Sequence, residues 1–256
     1  MRSVPEWAQQ RGFGIRVEWG RAGAVAIGAG AAGVVVIDVL SFTTSVSVAT
    51  AAGTAVFPYR WRDGTARSFA AERGAALAVG RREVSVAQPW SLSPAAIRRA
   101  PFTERLVLPS PNGSAIAASV EGTPVVAACL RNYSAVADWL LQQGWGTPAR
   151  PIAIVAAGEQ WPGTETVRPA LEDWLGAGAL AAALLDRGID TPSPEAYSAA
   201  STFTALPDTP GLLRTSASGR ELISGGFPDD VDLAVDLDAD NTVPVLENGA
   251  FTDHGR

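Results

Sequence analysis

Four stretches of the chain share one pattern: an unbroken apolar run, then small polar residues, then a helical periodicity. The runs are Val34-Val35-Val36-Ile37-Asp38-Val39-Leu40, Leu106-Val107-Leu108, Val125-Val126-Ala127-Ala128-Cys129 and Ile152-Ala153-Ile154-Val155-Ala156-Ala157. Short apolar runs without alternation mark strands buried on both faces, as in a parallel sheet. The 3.6-residue period predicts helices over 135–141 and 171–185. Strands alternating with helices define a layered α/β domain. Residues 191–219 are rich in Pro, Ser and Thr and predict a helix around 195–203, then irregular chain. Residues 225–240 are acidic, and 242–246 read as a late edge strand, where Pro244 is tolerated. There is no internal repeat and no clear linker, so residues 1–256 read as a single domain.

Composition narrows the chemistry. With 256 residues, 47% of them hydrophobic, the chain has an ample core and is not disordered. A net charge of −6 argues against a nucleic-acid surface. The segment 22–37 comes nearest to a membrane span, but glycines interrupt it, it runs into Asp38, and it lacks a leader-like cleavage pattern. The expectation is a cytoplasmic protein with neither membrane nor nucleic-acid partners. One cysteine, Cys129, excludes an internal disulfide and a cysteine-cluster zinc site. The single histidine, His254, lies at the C-terminus, and no lysine occurs at all. Histidine-based nucleophile activation and a Walker lysine are thereby disfavoured or removed. Carboxylates, arginines, hydroxyls and backbone amides remain, the parts for phosphoryl or carboxylate chemistry assisted by a hard divalent ion.

In open α/β sheets, ligands bind beyond the carboxyl ends of the strands, against helix N-termini. The four strand ends would gather Asp38, Thr43, Thr44, Ser45, Ser110, Asn112, Gly113, Arg131, Asn132, Ser134 and Glu159 on one crest. Each Ser, Thr and Asn there also suits a plain helix cap. Asp38, ending a β-branched run, is either a cap for the next turn or a ligand, since burying an unpaired carboxylate is costly. A second acidic feature is Arg168-Pro169-Ala170-Leu171-Glu172-Asp173-Trp174, a helix start with proline and acids in its first turn. Glu172 and Asp173 lie about 100° apart round the helix, and Gly176, Ala177, Gly178 and Ala179 allow close approach, which turns an acid toward the crest.

Two patterns point elsewhere. Gly28-Ala29-Gly30-Ala31-Ala32-Gly33 spells G-x-G-x-x-G, but its last glycine opens a strand rather than a helix, against a dinucleotide site. Asp236, Asp238, Asp240 and Glu247 sit at calcium-loop spacing, yet Asn241 replaces the required glycine and Pro244 interrupts. They read as a solvated acidic loop.

The motifs taken together resemble the magnesium-dependent 2-phosphosulfolactate phosphatases, the ComB-like family. The resembling segments are Asp38-Val39-Leu40-Ser41-Phe42-Thr43-Thr44-Ser45, Asn112-Gly113-Ser114, Asn132-Tyr133-Ser134-Ala135-Val136-Ala137, Ala157-Gly158 with Leu171-Glu172-Asp173-Trp174-Leu175-Gly176-Ala177-Gly178-Ala179-Leu180, and Ser218-Gly219-Arg220-Glu221-Leu222 with Asp229-Asp230-Val231 and Val243-Pro244. Five motifs in one order make the resemblance specific. It departs from the family at Ser41, where an arginine belongs, at the shortened stretch Pro89-Trp90-Ser91-Leu92-Ser93-Pro94, and in a longer loop carrying Trp161 and Glu165. The resemblance implies a three-layer α/β/α, ComB-like fold with a mostly parallel central sheet. It implies a homodimer that hydrolyses a small phosphorylated acid with Mg²⁺, as in the coenzyme M biosynthesis step from 2-phosphosulfolactate to sulfolactate and phosphate. In that reading Asp38, Glu172 and Asp173 are catalytic and hold the metal. Thr43, Thr44, Ser110, Asn112, Gly113, Arg131 and Asn132 bind phosphate, and Arg220 meets the substrate's other anionic group. Arg131 or Arg220 would make good the arginine lost at Ser41. The alternative is a degenerate member that binds a small anion without turnover.

Overall fold

The computed structural model describes residues 4–60, 64–120, 122–164 and 166–255, so Glu165 of the long loop lies outside the described residues. The elements are β1 (Ile15–Trp19), α1 (Gly20–Gly28), β2 (Gly33–Ile37), α2 (Phe42–Ala51), β3 (Ala55–Tyr59), α3 (Thr65–Glu72), β4 (Ala76–Leu77), α4 (Pro94–Arg99), β5 (Arg105–Pro109), α5 (Gly113–Ala117), β6 (Val125–Ala128), α6 (Tyr133–Gln142) and β7 (Ile152–Ala156). A short hairpin of β8 (Glu159–Gln160) and β9 (Val167–Arg168) follows. Then come α7 (Leu171–Asp186), α8 (Pro194–Ala205), α9 (Thr209–Thr215), α10 (Ala217–Ser224), α11 (Pro228–Ala234), β10 (Pro244–Glu247) and β11 (Ala250–Asp253).

Nine strands form one sheet in the order β1-β7-β2-β6-β10-β11-β3-β5-β4. The two outer groups are each parallel within themselves, and the antiparallel β10–β11 hairpin joins them. All four apolar runs are strands, and the reason is visible in β2. Val35 and Ile37 face a core built with α6, α7, α8 and α11, while Val34 and Val36 face another built with α1, α2 and α5. A strand covered on both sides has no polar face, so its sequence shows no alternation. This is the expected three-layer α/β/α arrangement.

Two expectations are corrected. The late strand is central rather than at an edge: Val245 pairs with Val126, and Phe251 of its hairpin partner pairs with Val56. Pro244 is accommodated because it is the first residue of β10, where the missing N–H costs least. The stretch after α8 is helical, because Asp208 and Ser216 cap α9 and α10 through the amides of Gly211 and Gly219. The acidic stretch, to which the sequence assigned no element, also holds α11, opened by Pro228 at its first position.

The sheet also curls. Strands β2 and β5 are five ladder positions apart, roughly 24 Å if flat at about 4.8 Å per strand. Gly113, four residues beyond β5, nevertheless donates its amide to the Asp38 carboxylate at 2.8 Å. Four residues span only about 13 Å, and three antiparallel pairings make β5 run opposite to β2, so the sheet must twist as well as curl for the two strand ends to meet. That is what assembles the site.

Candidate active site

Asp38 follows directly on β2 and is buried. One carboxylate oxygen accepts the Phe42 amide at 3.2 Å and the other the Gly113 amide at 2.8 Å, so one side chain caps both α2 and α5. Gly113 has no room for a side chain, because a Cβ would lie 2.7 Å from Asp38 Oδ2 and against the Phe42 ring. From the other side α7 is let down onto β2 by Gly176, whose absent Cβ would stand 2.7 Å from Ile37 and 2.9 Å from Val39. That approach buries both acids of the first turn, with Glu172 1% and Asp173 3% exposed, while Leu171 faces outward. Asp173 accepts the amides of Val39 and Gly158, each at 2.8 Å, and so ties the end of β2 to the end of β7. Glu159, on β8, accepts from the Asn112 side chain at 2.9 Å.

Four carboxylates therefore meet where β2, β5 and β7 end. Each penalises its neighbours. Burial, then the charge of Asp38, lifts Glu159 to about 7. Burial raises Glu172 as well, with a Ser218 hydrogen bond and the Arg168 charge pulling the other way. Asp173 is raised well above the carboxylate range by burial and by the charges of Asp38 and Glu172. Arg168 donates to Ser218 Oγ at 3.2 Å and lies beside Trp161, 5.9 Å from the ring centroid.

Among the described residues no group of three or more His, Cys, Asp or Glu side chains is placed so that it could hold a metal ion. The donor set nevertheless suits a hard divalent ion. It is all oxygen, it is crowded with like charge, and Glu172 Oε2 is buried with no hydrogen-bond partner among the described residues. A cation would satisfy that oxygen and relieve the repulsion.

Asp38, Glu172, Asp173, Asn112 and Gly113 thus lie together. Ser110 is at the same turn, buried, with its hydroxyl facing the Asn112 amide at 3.4 Å. The other cradle residues are committed to structure. Thr43 Oγ1 donates to the Asp38 carbonyl at 2.8 Å, Thr44 to the Val39 carbonyl at 2.7 Å, and Ser45 to the Leu92 carbonyl at 3.1 Å, all buried. Asn132 accepts the Cys129 amide at 2.8 Å and donates to the Thr242 carbonyl at 3.0 Å, joining β6 to the approach of β10. Arg131 turns to the Leu233 carbonyl at 2.9 Å and to Asp236 at 3.2 Å. Arg220 is exposed on α10, whereas Ser218 two residues earlier reaches the acids.

Sequence reasoning placed Glu159 on the crest without a role and missed Arg168 and Ser218, whose positions depend on the β8–β9 hairpin and on α10. It also missed Arg81. That guanidinium donates to Ser41 Oγ at 2.7 Å and to buried Asp230 at 2.9 Å, so the arginine beside Ser41 is neither Arg131 nor Arg220. The glycine-rich stretch 28–33 runs from the end of α1 into β2, the reverse of a dinucleotide turn. In the acidic segment Asp236 pairs with Arg131, Asp238 accepts the Ser134 amide and Asp240 the Thr242 amide.

A cavity of about 280 Å³ opens beside the cluster, with Asn112, Glu159, Gln160 and Val167 in its wall. A larger one of about 540 Å³ lies near Arg67, Leu77 and Gly80 and touches none of the four acids. Volume alone does not mark the site; the shared side chains do.

A layered α/β fold with carboxylates at its strand ends is a setting for hydrolytic chemistry, and the comparisons specify which. The 2-phosphosulpholactate phosphatase family matches residues 27–249, and the chain belongs to that family of phosphoric monoester hydrolases. A relative from Thermotoga maritima, described as a probable 2-phosphosulfolactate phosphatase, is 28% identical over 224 residues, 85% of this chain and 90% of its own. A relative from Synechococcus sp., described in the same words, is 32% identical over 230 residues, 82% of this chain and 86% of its own. No helix among the described residues is long and apolar enough to cross a membrane.

Proposed function

We propose that the chain hydrolyses a small phosphate monoester carrying further acidic groups, 2-phosphosulfolactate by analogy with its relatives, with magnesium at the four-carboxylate cluster. The observation that carries this reading is Glu172, buried to 1% exposure beside Asp38 and Asp173, with one oxygen that no protein donor satisfies. Bound there, Mg²⁺ would neutralise phosphoryl charge and favour attack by water. Asp38 and Glu172 would hold it, while Asp173 fixes the spacing of the β2 and β7 ends. Glu159, in the wall of the cavity, orients the attacking water and takes its proton. Asn112 keeps Glu159 in place and presents its amide to the cavity. A homodimer belongs to the same reading by family resemblance, and light scattering reads it directly.

Phosphate release from 2-phosphosulfolactate and a panel of simpler monoesters, with Mg²⁺ or with a chelator, tests the proposal. The expected result is release that requires Mg²⁺ and favours the multiply acidic ester. Binding of 2-phosphosulfolactate without any release would instead establish the anion-binding alternative. Equal release in chelator would overturn the role of the metal.

A further inference from the structure

The cavity beside the acidic cluster, which Glu159 alone of the four acids lines, has side chains of both charges in its wall. Its wall carries Asn112 and Glu159, and also Arg21, at the start of α1, and Arg60, directly after β3. The geometry points to Arg21 and Arg60 as the subsite that receives the second anionic group of the substrate, a carboxylate or sulfonate, and so sets specificity. This rests on the phosphatase reading above and extends it.

Three observations support the assignment. The first is how the arginines of the chain are used. Arg81, Arg99, Arg131, Arg187 and Arg214 each pair with an aspartate at 2.6–3.2 Å. Arg21 lines the cavity and makes no side-chain hydrogen bond or ion pair among the described residues, while Arg60 already has an interaction within the chain. The second is size. At about 280 Å³ the cavity falls just below the roughly 300–1,000 Å³ of drug-sized sites, which suits a phosphorylated three-carbon acid. The third is charge. A ligand whose phosphoryl group lies at the carboxylates must itself be anionic, and any further anionic group needs cations in the cavity wall. Guanidinium forks match carboxylate and sulfonate oxygens two at a time. Arg220, the candidate suggested by sequence, does not line this cavity.

The test compares the wild-type chain with Arg21→Gln, Arg60→Gln and the double variant, each checked for an unchanged circular dichroism spectrum. With Mg²⁺ present, each single variant is expected to raise KM for 2-phosphosulfolactate at least tenfold. Each should also shrink, by a similar factor, the ratio of kcat/KM for that ester to kcat/KM for p-nitrophenyl phosphate, whose tail carries no second anionic group. Equal losses on both esters would overturn the subsite. Calorimetric titration with sulfolactate, which has a carboxylate and a sulfonate but no phosphate, separates this proposal from the catalytic one. Wild type should bind sulfolactate and the double variant at least tenfold more weakly, even if no ester is hydrolysed. Failure of wild type to bind it, or equal binding by the double variant, would overturn the proposal while leaving hydrolysis to be judged by phosphate release.

Discussion

Glu172 is the residue whose position a folding argument alone does not explain. A buried carboxylate with an unpartnered oxygen costs several kcal/mol, and like charges nearby add to that. Glu159, Glu172 and Asp173 all titrate above their ordinary range, because burial and the neighbouring acids disfavour their charged forms. The native state then holds protons that the unfolded chain has released, so stability falls as pH rises from the ordinary carboxylate range, about 4.5 for glutamate, through about 7. Glu172→Gln removes one of the repelling charges. In chelator it is expected to raise Tm at pH 8, by about 2–4 °C for each kcal/mol recovered, and to flatten the fall in Tm between pH 5 and pH 8. The same change should cut phosphate release at least 100-fold. Thermal denaturation across that pH range checks the first point, and a variant with an unchanged slope would show that Glu172 carries no charge repulsion.

At this scale the acids were legible and the polar cradle was not. Asp38, Glu172 and Asp173 stand out because carboxylates beside apolar runs demand a reason. Thr43, Thr44 and Asn132 carry the same local signal as a phosphate cradle, but their hydrogen bonds go to backbone carbonyls and amides within the fold. Arg168 and Arg81 arrive from separate segments and have no local signature.

Among the elements, the C-terminal hairpin bears most on the architecture. β10 and β11 join two parallel groups that share no other ladder, and Phe251 is fully buried against Phe42. A chain ending at Asn241 is therefore expected to lose cooperative unfolding altogether, as read by far-ultraviolet circular dichroism during heating. Were the hairpin an edge, the truncated chain would keep a cooperative transition only a few degrees lower, and that result would contradict the observed strand order. The sequence suggested an edge because proline is a strong edge signal, but its position at the first residue of β10 makes it neutral. The β-branched runs disclosed β2, β5, β6 and β7, since two-sided burial strips a strand of polar residues. By contrast β1 (Ile15-Arg16-Val17-Glu18-Trp19) carries charges at alternate positions and reads ambiguously without its partner β7.

Across the whole molecule, charge is distributed unevenly. Five arginines neutralise aspartates in pairs, while four carboxylates gather at the curled strand ends, with Arg168 the arginine whose charge eases Glu159 and Glu172. The family explains this concentration if the cluster holds a divalent ion. A crystal soaked in Mn²⁺, as a stand-in for Mg²⁺, tests that most directly through anomalous scattering. The predicted result is one strong peak bonded to Glu172 Oε2 and shared with Asp38. A peak confined to the acidic segment 236–240, or none at the strand ends, would contradict it.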